Sequence, residues 1–279
     1  HFSEIVNKKN DYYNNLNHDK LSYPPLNLDE NWDSELVKID APESISTRDA
    51  SGKVLNSLAD KTNLIFGGSA DLAGSTKTLI SSSTSITSDD FSGLNMHYGV
   101  REHAMAAINN GISLYATFIP FGGTFLIFSD YMRNSIRLSA LSKSQVLYVL
   151  THDSIALGED GPTHQPISQL MSLRLIPNLN VYRPADYYET IYCYKKSLTT
   201  KMTPSAFILS RQALPTLKNR DFKNIQNGAY IIKKEDEKSE IDLILMATGS
   251  EVSICIDASK KFKEMNVNVR VVSMPCWEL

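Results

Sequence analysis

The sequence predicts an α/β fold, a mostly parallel sheet with helices on both faces, followed by the start of a second α/β domain. Three observations carry this. Short apolar runs of strand length recur, each bounded by Gly, Pro, Asp or Ser, as expected of strands buried on both faces. Between them lie stretches of helical period with recognisable start signals. The two kinds alternate, which is the pattern of a parallel sheet built from crossover helices.

The bulk properties agree and exclude several function classes. At 279 residues, with 42% hydrophobic and 21% charged content, the chain can bury one large or two moderate cores. A net charge of -3 gives no reason to expect nucleic acid or an anionic membrane as partner. Cys193, Cys255 and Cys276 are odd in number and far apart. They form neither a disulfide framework nor a metal knuckle, so a reducing, cytoplasmic location is expected. No apolar run approaches the roughly 18 residues of a membrane span, and no signal-peptide pattern is present. The first residue is His1 rather than Met and the last, Leu279, follows a strand-like run, so a piece of a longer protein is expected.

Residues 1–41 are rich in Asn, Asp, Lys and Tyr, contain Pro24-Pro25 and show no period. They read as a linker on a surface, pinned by Trp32 and Leu36. Ser46 or Thr47 caps a helix over about Arg48 to Asp60, with Val54, Leu55 and Leu58 on its apolar side. Asn63 to Phe66 reads as a strand running into Gly67-Gly68-Ser69-Ala70-Asp71, and Ser81 to Ser88 as a mobile Ser/Thr loop. Leu114 to Ile119 reads as a strand ending at Pro120-Phe121-Gly122-Gly123, with a helix from about Thr124 to Leu141. Gln145 to Leu150 is a strand ending at Thr151-His152-Asp153, and Ser205 to Leu209 one ending at Ser210-Arg211. Asn180 to Tyr182 is a strand before a helix whose Asp186 and Glu189 form a capping-box pattern. Residues 42–215 thus form a first domain. Residues 216–240 are polar and read as a boundary. Asp242 to Ala247, Glu251 to Glu264 and Asn268 to Ser273 make one βαβ crossover, too small to bury its own sheet faces.

The stretch Asn95 to Gly111 sets Arg101-Glu102-His103 directly before Ala104, Met105, Ala107, Ile108 and Ile112 at helical spacing. Glu102 and His103 therefore sit in the first turn of a helix that packs into an interior or an interface. Small Ala104, Ala107 and Gly111 let another backbone come close. A carboxylate drawn into such surroundings sheds hydration, which suits it to hold or share a proton near neutrality. The alternative is a first-turn acid complementing the helix dipole.

In open α/β sheets ligands bind beyond the carboxyl ends of the strands. Those ends carry Gly67 to Asp71, Gly122-Gly123, His152-Asp153 and Arg211, followed by the loop Gly158-Glu159-Asp160-Gly161-Pro162-Thr163-His164. The loop reads either as part of a site or as a solvated turn. Phe125, Phe128 and Tyr131 recur at three-residue spacing, which suits core packing or a flat ring ligand. A metal site fails on spacing: His97 and His103 point roughly 240° apart around a helix. Neither a G-x-S-x-G elbow nor a P-loop is present.

Several motifs in order resemble one family. They are Gly67-Gly68-Ser69-Ala70-Asp71-Leu72, Tyr98 to Met105, Pro120 to Phe125, Thr151 to Ile155, Gly158 to Pro166, Tyr182 to Asp186 and Ser210-Arg211-Gln212. Together they resemble transketolase over about residues 46 to 215, and Ala247 to Glu251 continue the likeness. The resemblance implies the pyrimidine-binding domain of a thiamine-diphosphate enzyme that moves a two-carbon ketol unit between sugar phosphates. It implies that Glu102 hydrogen-bonds the aminopyrimidine and promotes formation of the thiazolium ylide, inside an aromatic pocket of Phe125, Phe128 and Tyr131. It places His152 and Asp160 at the sugar hydroxyls, with His152 assisting proton movement. Arg48, Ser75, His164 and Arg211 match positions holding the phosphate and polar chain, and Asp71 a cofactor-side position near the dimer interface. The family's Gly-Asp-Gly half, which holds the diphosphate and its magnesium or calcium, has no counterpart here. A homodimer of full-length chains is therefore implied, with no metal ligand in this chain. A dihydroxyacetone synthase-like transferase is the neighbouring alternative. A non-catalytic dimerisation module predicts gaps among these residues, and none is found.

Overall fold

The structure is a computed structural model that describes residues 28, 32–33, 36, 41–62, 64–115, 118–217, 222–236 and 240–279. In chain order the first part holds β1 (Ser44–Ser46), α1 (Thr47–Thr62), β2 (Ile65–Ser69), α2 (Ala73–Thr76), β3 (Asn95–His97), α3 (Glu102–Leu114) and β4 (Ile119–Phe125). It continues with α4 (Ser129–Leu141), β5 (Leu147–Thr151), α5 (Gln169–Arg174), β6 (Asn180–Tyr182), α6 (Tyr187–Thr199), β7 (Ser205–Leu209) and β8 (Ala213–Pro215). Six strands pair in the order β3-β2-β4-β5-β7-β6, every pair parallel. The remaining two, β1 and β8, form a separate antiparallel pair.

Alternation along the strands shows why helices cover both faces. Leu147, Val149, Phe207 and Leu209 pack with Val54, Leu55 and Leu58 of α1 and Ile191 and Tyr194 of α6. Their neighbours Tyr148, Leu150, Ala206 and Ile208 face the other way, against Met105 of α3, Met132 and Ile136 of α4 and Leu173 of α5. A period of two with both sets apolar is what a strand buried on both sides requires. The predicted caps form: Ser46 Oγ accepts the Asp49 amide at 3.1 Å, and Asp186 Oδ1 accepts the Glu189 amide at 3.0 Å. Leu28, Trp32, Leu36 and Ala41 pack onto the core and Asp33 pairs with Lys195 at 2.8 Å, while residues 1–27, 29–31, 34–35 and 37–40 of the expected linker lie outside the described residues.

Four expectations are corrected. The strand expected at Leu114–Ile119 lies later, because α3 continues to Leu114 and β4 runs from Ile119 to Phe125 through Pro120, Gly122 and Gly123. Helix α4 starts at Ser129 rather than Thr124, so Phe125 ends a strand and Phe128 sits in a single 3-10 turn, Leu126–Phe128. Gly67 and Gly68 lie inside β2 rather than beyond it. The Ser/Thr loop is pinned by buried Asn95, whose amide donates to Ile80 O at 2.9 Å and Ser83 O at 3.0 Å. On α3, Met105 is buried as expected. Buried Ala106 and Asn109 complete the packed face, while Ala107 and Ile108 are exposed.

The second part contains β9 (Tyr230–Lys233), β10 (Leu243–Ala247), α7 (Glu251–Glu264) and β11 (Val269–Ser273). The pair β10 and β11 is parallel, as read from sequence, and β9, inside the expected boundary, adds antiparallel to β11. The two parts are bonded together. Glu189 Oε1 of α6 accepts the Tyr230 and Ser273 hydroxyls, each at 2.7 Å, and the Arg183 amide donates to Pro275 O at 2.8 Å.

Candidate active site

Because all six strands run parallel, their carboxyl ends share one edge, and every chemically interesting loop leaves from it. Glu102 opens α3, which presses close on β4. A Cβ at Gly122 would lie 2.5 Å from Asn109 Nδ2 and 3.1 Å from Met105 Cγ, so glycine is what lets the helix approach. That approach leaves Glu102 only 8% exposed. It lines a cavity of about 570 Å³ together with Asp71, Val100, Phe128, Tyr131 and His164. Among the described residues nothing bonds to its carboxylate. A carboxylate at a cavity wall without a protein partner is free to accept a donor from a ligand. Asp71, exposed in a left-handed turn with φ of 62°, stands at the same cavity.

The three aromatic residues do align, though not along one helix. Phe125 and Phe128 stack at 5.9 Å between centroids, and Phe128 and Tyr131 at 6.1 Å. Phe125 in turn stacks on His152 at 3.7 Å, and His164 sets its edge against Phe128 at 5.3 Å. Phe128 and Tyr131 line the cavity. Phe125 lies behind them, as the link between the cavity and His152.

His152 leaves β5 in the left-handed region, with φ of 61°, and is 3% exposed. Its Nδ1 is 2.8 Å from Thr151 Oγ1, and its Nε2 3.4 Å from Arg48 Nη1. Burial and then the Arg48 charge push its pKa down to about 4, with Arg211 and His164 adding and Asp160 opposing. His152 is therefore neutral at pH 7. The two arginines converge because Thr47 and Ser210 bond each other three times: Thr47 N to Ser210 Oγ at 3.0 Å, Ser210 N to Thr47 Oγ1 at 2.7 Å, and the two hydroxyls at 3.1 Å. The residues that follow, Arg48 and Arg211, are thus brought side by side. Burial, opposed by Asp49 and aided by Arg211, lowers the Arg48 pKa. Arg48 Nη1 is also held by Ser75 O at 2.9 Å. The loop carrying Asp160 and His164 folds over Arg211 at Gly158, where φ is 105° and a Cβ would sit 3.2 Å from the guanidinium carbon.

The predicted residues thus gather in two connected places. Glu102, Asp71, Phe128, Tyr131 and His164 surround the cavity, while Arg48, Ser75, His152, Asp160 and Arg211 make a basic shelf beside it. Two buried charges escaped sequence reasoning, Asp153 and Arg183, which pair at 2.8 Å behind His152. Both stand at strand ends within the motifs quoted above, and that position is the signal that could have found them.

The geometry now meets known proteins. The family described as the transketolase pyrimidine-binding domain matches residues 43–216. The chain belongs to the transketolase family. The family's C-terminal domain matches residues 228–279. A curated transketolase from Halalkalibacterium halodurans is 44% identical over 272 residues, 93% of this chain and 40% of that protein. A Pichia stipitis transketolase solved with sedoheptulose-7-phosphate superposes with a TM-score of 0.84 at 42% identity, over 89% of this chain and 37% of that one. A split-gene transketolase described as an inactive β4 tetramer superposes with a TM-score of 0.68 at 27% identity, over 83% of this chain and 72% of that one. The chain spans about two fifths of the length of the first of these relatives. Membership of the transketolase family implies thiamine diphosphate as cofactor.

Proposed function

We propose that the full-length protein is a transketolase, transferring a two-carbon ketol unit reversibly from a ketose phosphate to an aldose phosphate, and that this chain supplies the pyrimidine and substrate half of the site. The observation that carries the reading is Glu102, 8% exposed, whose carboxylate has no partner among the described residues, at the wall of an aromatic-lined cavity. This fits an aminopyrimidine, which is flat and offers a ring nitrogen that a carboxyl group can meet. Thiamine diphosphate, when bound, supplies a carbon nucleophile that takes up and passes on the two-carbon unit. Glu102 holds the proton at the ring nitrogen, and Phe128 and Tyr131, backed by Phe125, exclude water around it.

Neutral His152 both donates and accepts hydrogen bonds, so it binds sugar hydroxyls and steadies a proton moving between oxygens. Asp160, Ser75 and His164 complete the polar lining. Arg211 makes no ion pair among the described residues, and with Arg48 it forms an anion seat suited to the substrate phosphate. Two arginines that repel each other are relieved by an anion between them, which suits a phosphorylated substrate. The diphosphate and a magnesium or calcium ion would be held by a domain outside this chain, with Asp71 near the junction of a homodimer. Such a protein would serve the pentose phosphate pathway of the cytoplasm.

Glu102→Gln in the full-length protein tests the reading. An amide is nearly isosteric but cannot manage the proton, so kcat should fall by roughly 10² to 10⁴ with an unchanged far-UV spectrum. Retention of more than about half of the rate would return Glu102 to a structural role.

A further inference from the structure

The buried pair behind His152 reaches from the candidate site into the second part of the molecule. Strand β5 ends at Thr151, His152 turns through the left-handed region, and the Asp153 side chain that follows is 2% exposed. Asp153 Oδ2 receives Arg183 Nε at 3.0 Å and lies 2.8 Å from Arg183 Nη2. Arg183 is 6% exposed, and most of its other partners come from the second part. Its Nη1 donates to Thr248 O at 2.8 Å and to the Glu251 carboxylate, and its Nη2 to Ser250 Oγ at 3.3 Å. The Gly249 amide returns a bond to Arg183 O at 3.0 Å. A Cβ on Gly249, whose φ is 60°, would sit 2.8 Å from the guanidinium, so the turn before α7 is shaped around this side chain.

We propose that Asp153 and Arg183 are positioning residues that hold His152 against the substrate, and that Glu251 of the second part closes the outer end of the same clamp. The contact of His152 with substrate rests on the ketol-transfer reading; the clamp itself does not. A non-glycine residue stays in the left-handed region only while its surroundings hold it there. On one side Thr151 is fixed by the strand ladder. On the other, Asp153 is fixed by Arg183. Burial works against the Arg183 charge, but Asp153 and Glu251 outweigh it and hold the proton on. With Glu251 gone, the guanidinium loses one of its two carboxylates and its hold on Asp153 slackens.

The groups facing His152 are Arg48 of α1, Phe125 of β4, Asp160 and His164 of the loop and Arg211 after β7. None belongs to the clamp. Loss of the Glu251 carboxylate acts directly to lower a histidine pKa, so a rise in Glu251→Gln reports movement of the ring, whereas in Arg183→Met the uncompensated Asp153 charge adds to the rise and Arg183→Lys, which keeps the charge, separates the two. The test follows His152 by NMR in histidine-labelled full-length protein, comparing wild type with Arg183→Met, Arg183→Lys and Glu251→Gln. The midpoint, about 4 in the wild type, should rise by a unit or more in Arg183→Met and by less in Glu251→Gln. Both should lower kcat, about 10-fold for the former, with cofactor affinity unchanged, and Arg183→Lys should recover part of each effect. Should Arg183→Met not fold, Glu251→Gln decides, since that side chain is half exposed. An unmoved His152 midpoint there overturns the clamp. A wild type without ketol transfer would remove the functional reading while the titration still judges the clamp.

Discussion

His152 shows how burial selects a protonation state. Its pKa lies near 4 in the folded protein, below the roughly 6.5 of an unfolded histidine, so the unfolded chain takes up the proton first as pH falls. The neutral ring therefore contributes stability that is complete above about pH 6.5 and lost as pH falls toward 4. A shift of that size corresponds to at most about 3 kcal/mol, and solvent reaching the ring through the open rim reduces it. In the full-length protein His152→Asn should therefore lose less melting temperature than wild type between pH 7 and pH 4.5. Equal losses would mean that other groups carry the acid response. The arginines differ in kind. Arg48 supports His152 as well as facing the anion seat, so Arg48→Ala should impair every substrate. Arg211 has no bond to His152 and acts on it only through its charge, and a charge-assisted contact is worth about 1.5 to 3 kcal/mol. Arg211→Ala should raise KM for ribose 5-phosphate roughly 10- to 100-fold and barely change use of glycolaldehyde. Equal losses with both acceptors would assign Arg211 to structure.

Among the elements, β4 and α3 form the unit that presents Glu102. Their approach depends on Gly122, where any side chain meets Asn109 and Met105. Overpacking at such a contact costs about 1 to 3 kcal/mol. Gly122→Ala should lower the denaturant midpoint accordingly and weaken cofactor binding by displacing Glu102, whereas an unchanged midpoint would show that α3 yields freely. The same element explains the misplaced strand. Pro120, Gly122 and Gly123 read as a strand exit by local propensity, which favours turns at such residues. Packing overrides propensity here, since a Cβ at Gly123 would lie 2.7 Å from Thr78 Cγ2. The helix at Ser129 was misjudged for a related reason. Phe125 and Phe128 repeat at helical spacing, yet their rings align because a strand end and a 3-10 turn happen to stack them.

On the scale of the molecule, the cavity is walled on the Glu102 side only by the residues described, and the chain contains no Gly-Asp-Gly segment for a diphosphate. Ile108 and Leu114 on α3 and Leu138 and Leu141 on α4 are exposed apolar side chains on two helices packed against each other, which agrees with the proposed homodimer. This chain alone should accordingly show no magnesium-dependent affinity for thiamine diphosphate in calorimetry. Tight binding would overturn the half-site arrangement.

Much was legible in the sequence because it is written in local pattern. Alternating apolar runs and capped helical periods determined the parallel α/β architecture, down to α7 at Glu251–Glu264 and the Asp186 cap. The ordered motifs drew attention to Glu102, His152 and Arg211, and the family resemblance they carry to Arg48. Only the tertiary structure decided how these residues meet. The Thr47–Ser210 bonds that align the two arginines join residues 163 apart in sequence. The Asp153–Arg183 pair spans two strand ends, and Glu251 adds to it from a second unit. Periodicity reports which face of an element is buried, but not which distant element will cover it. That choice depends on side-chain volumes and hydrogen bonds satisfied across the sheet, so it exists only once the chain has folded.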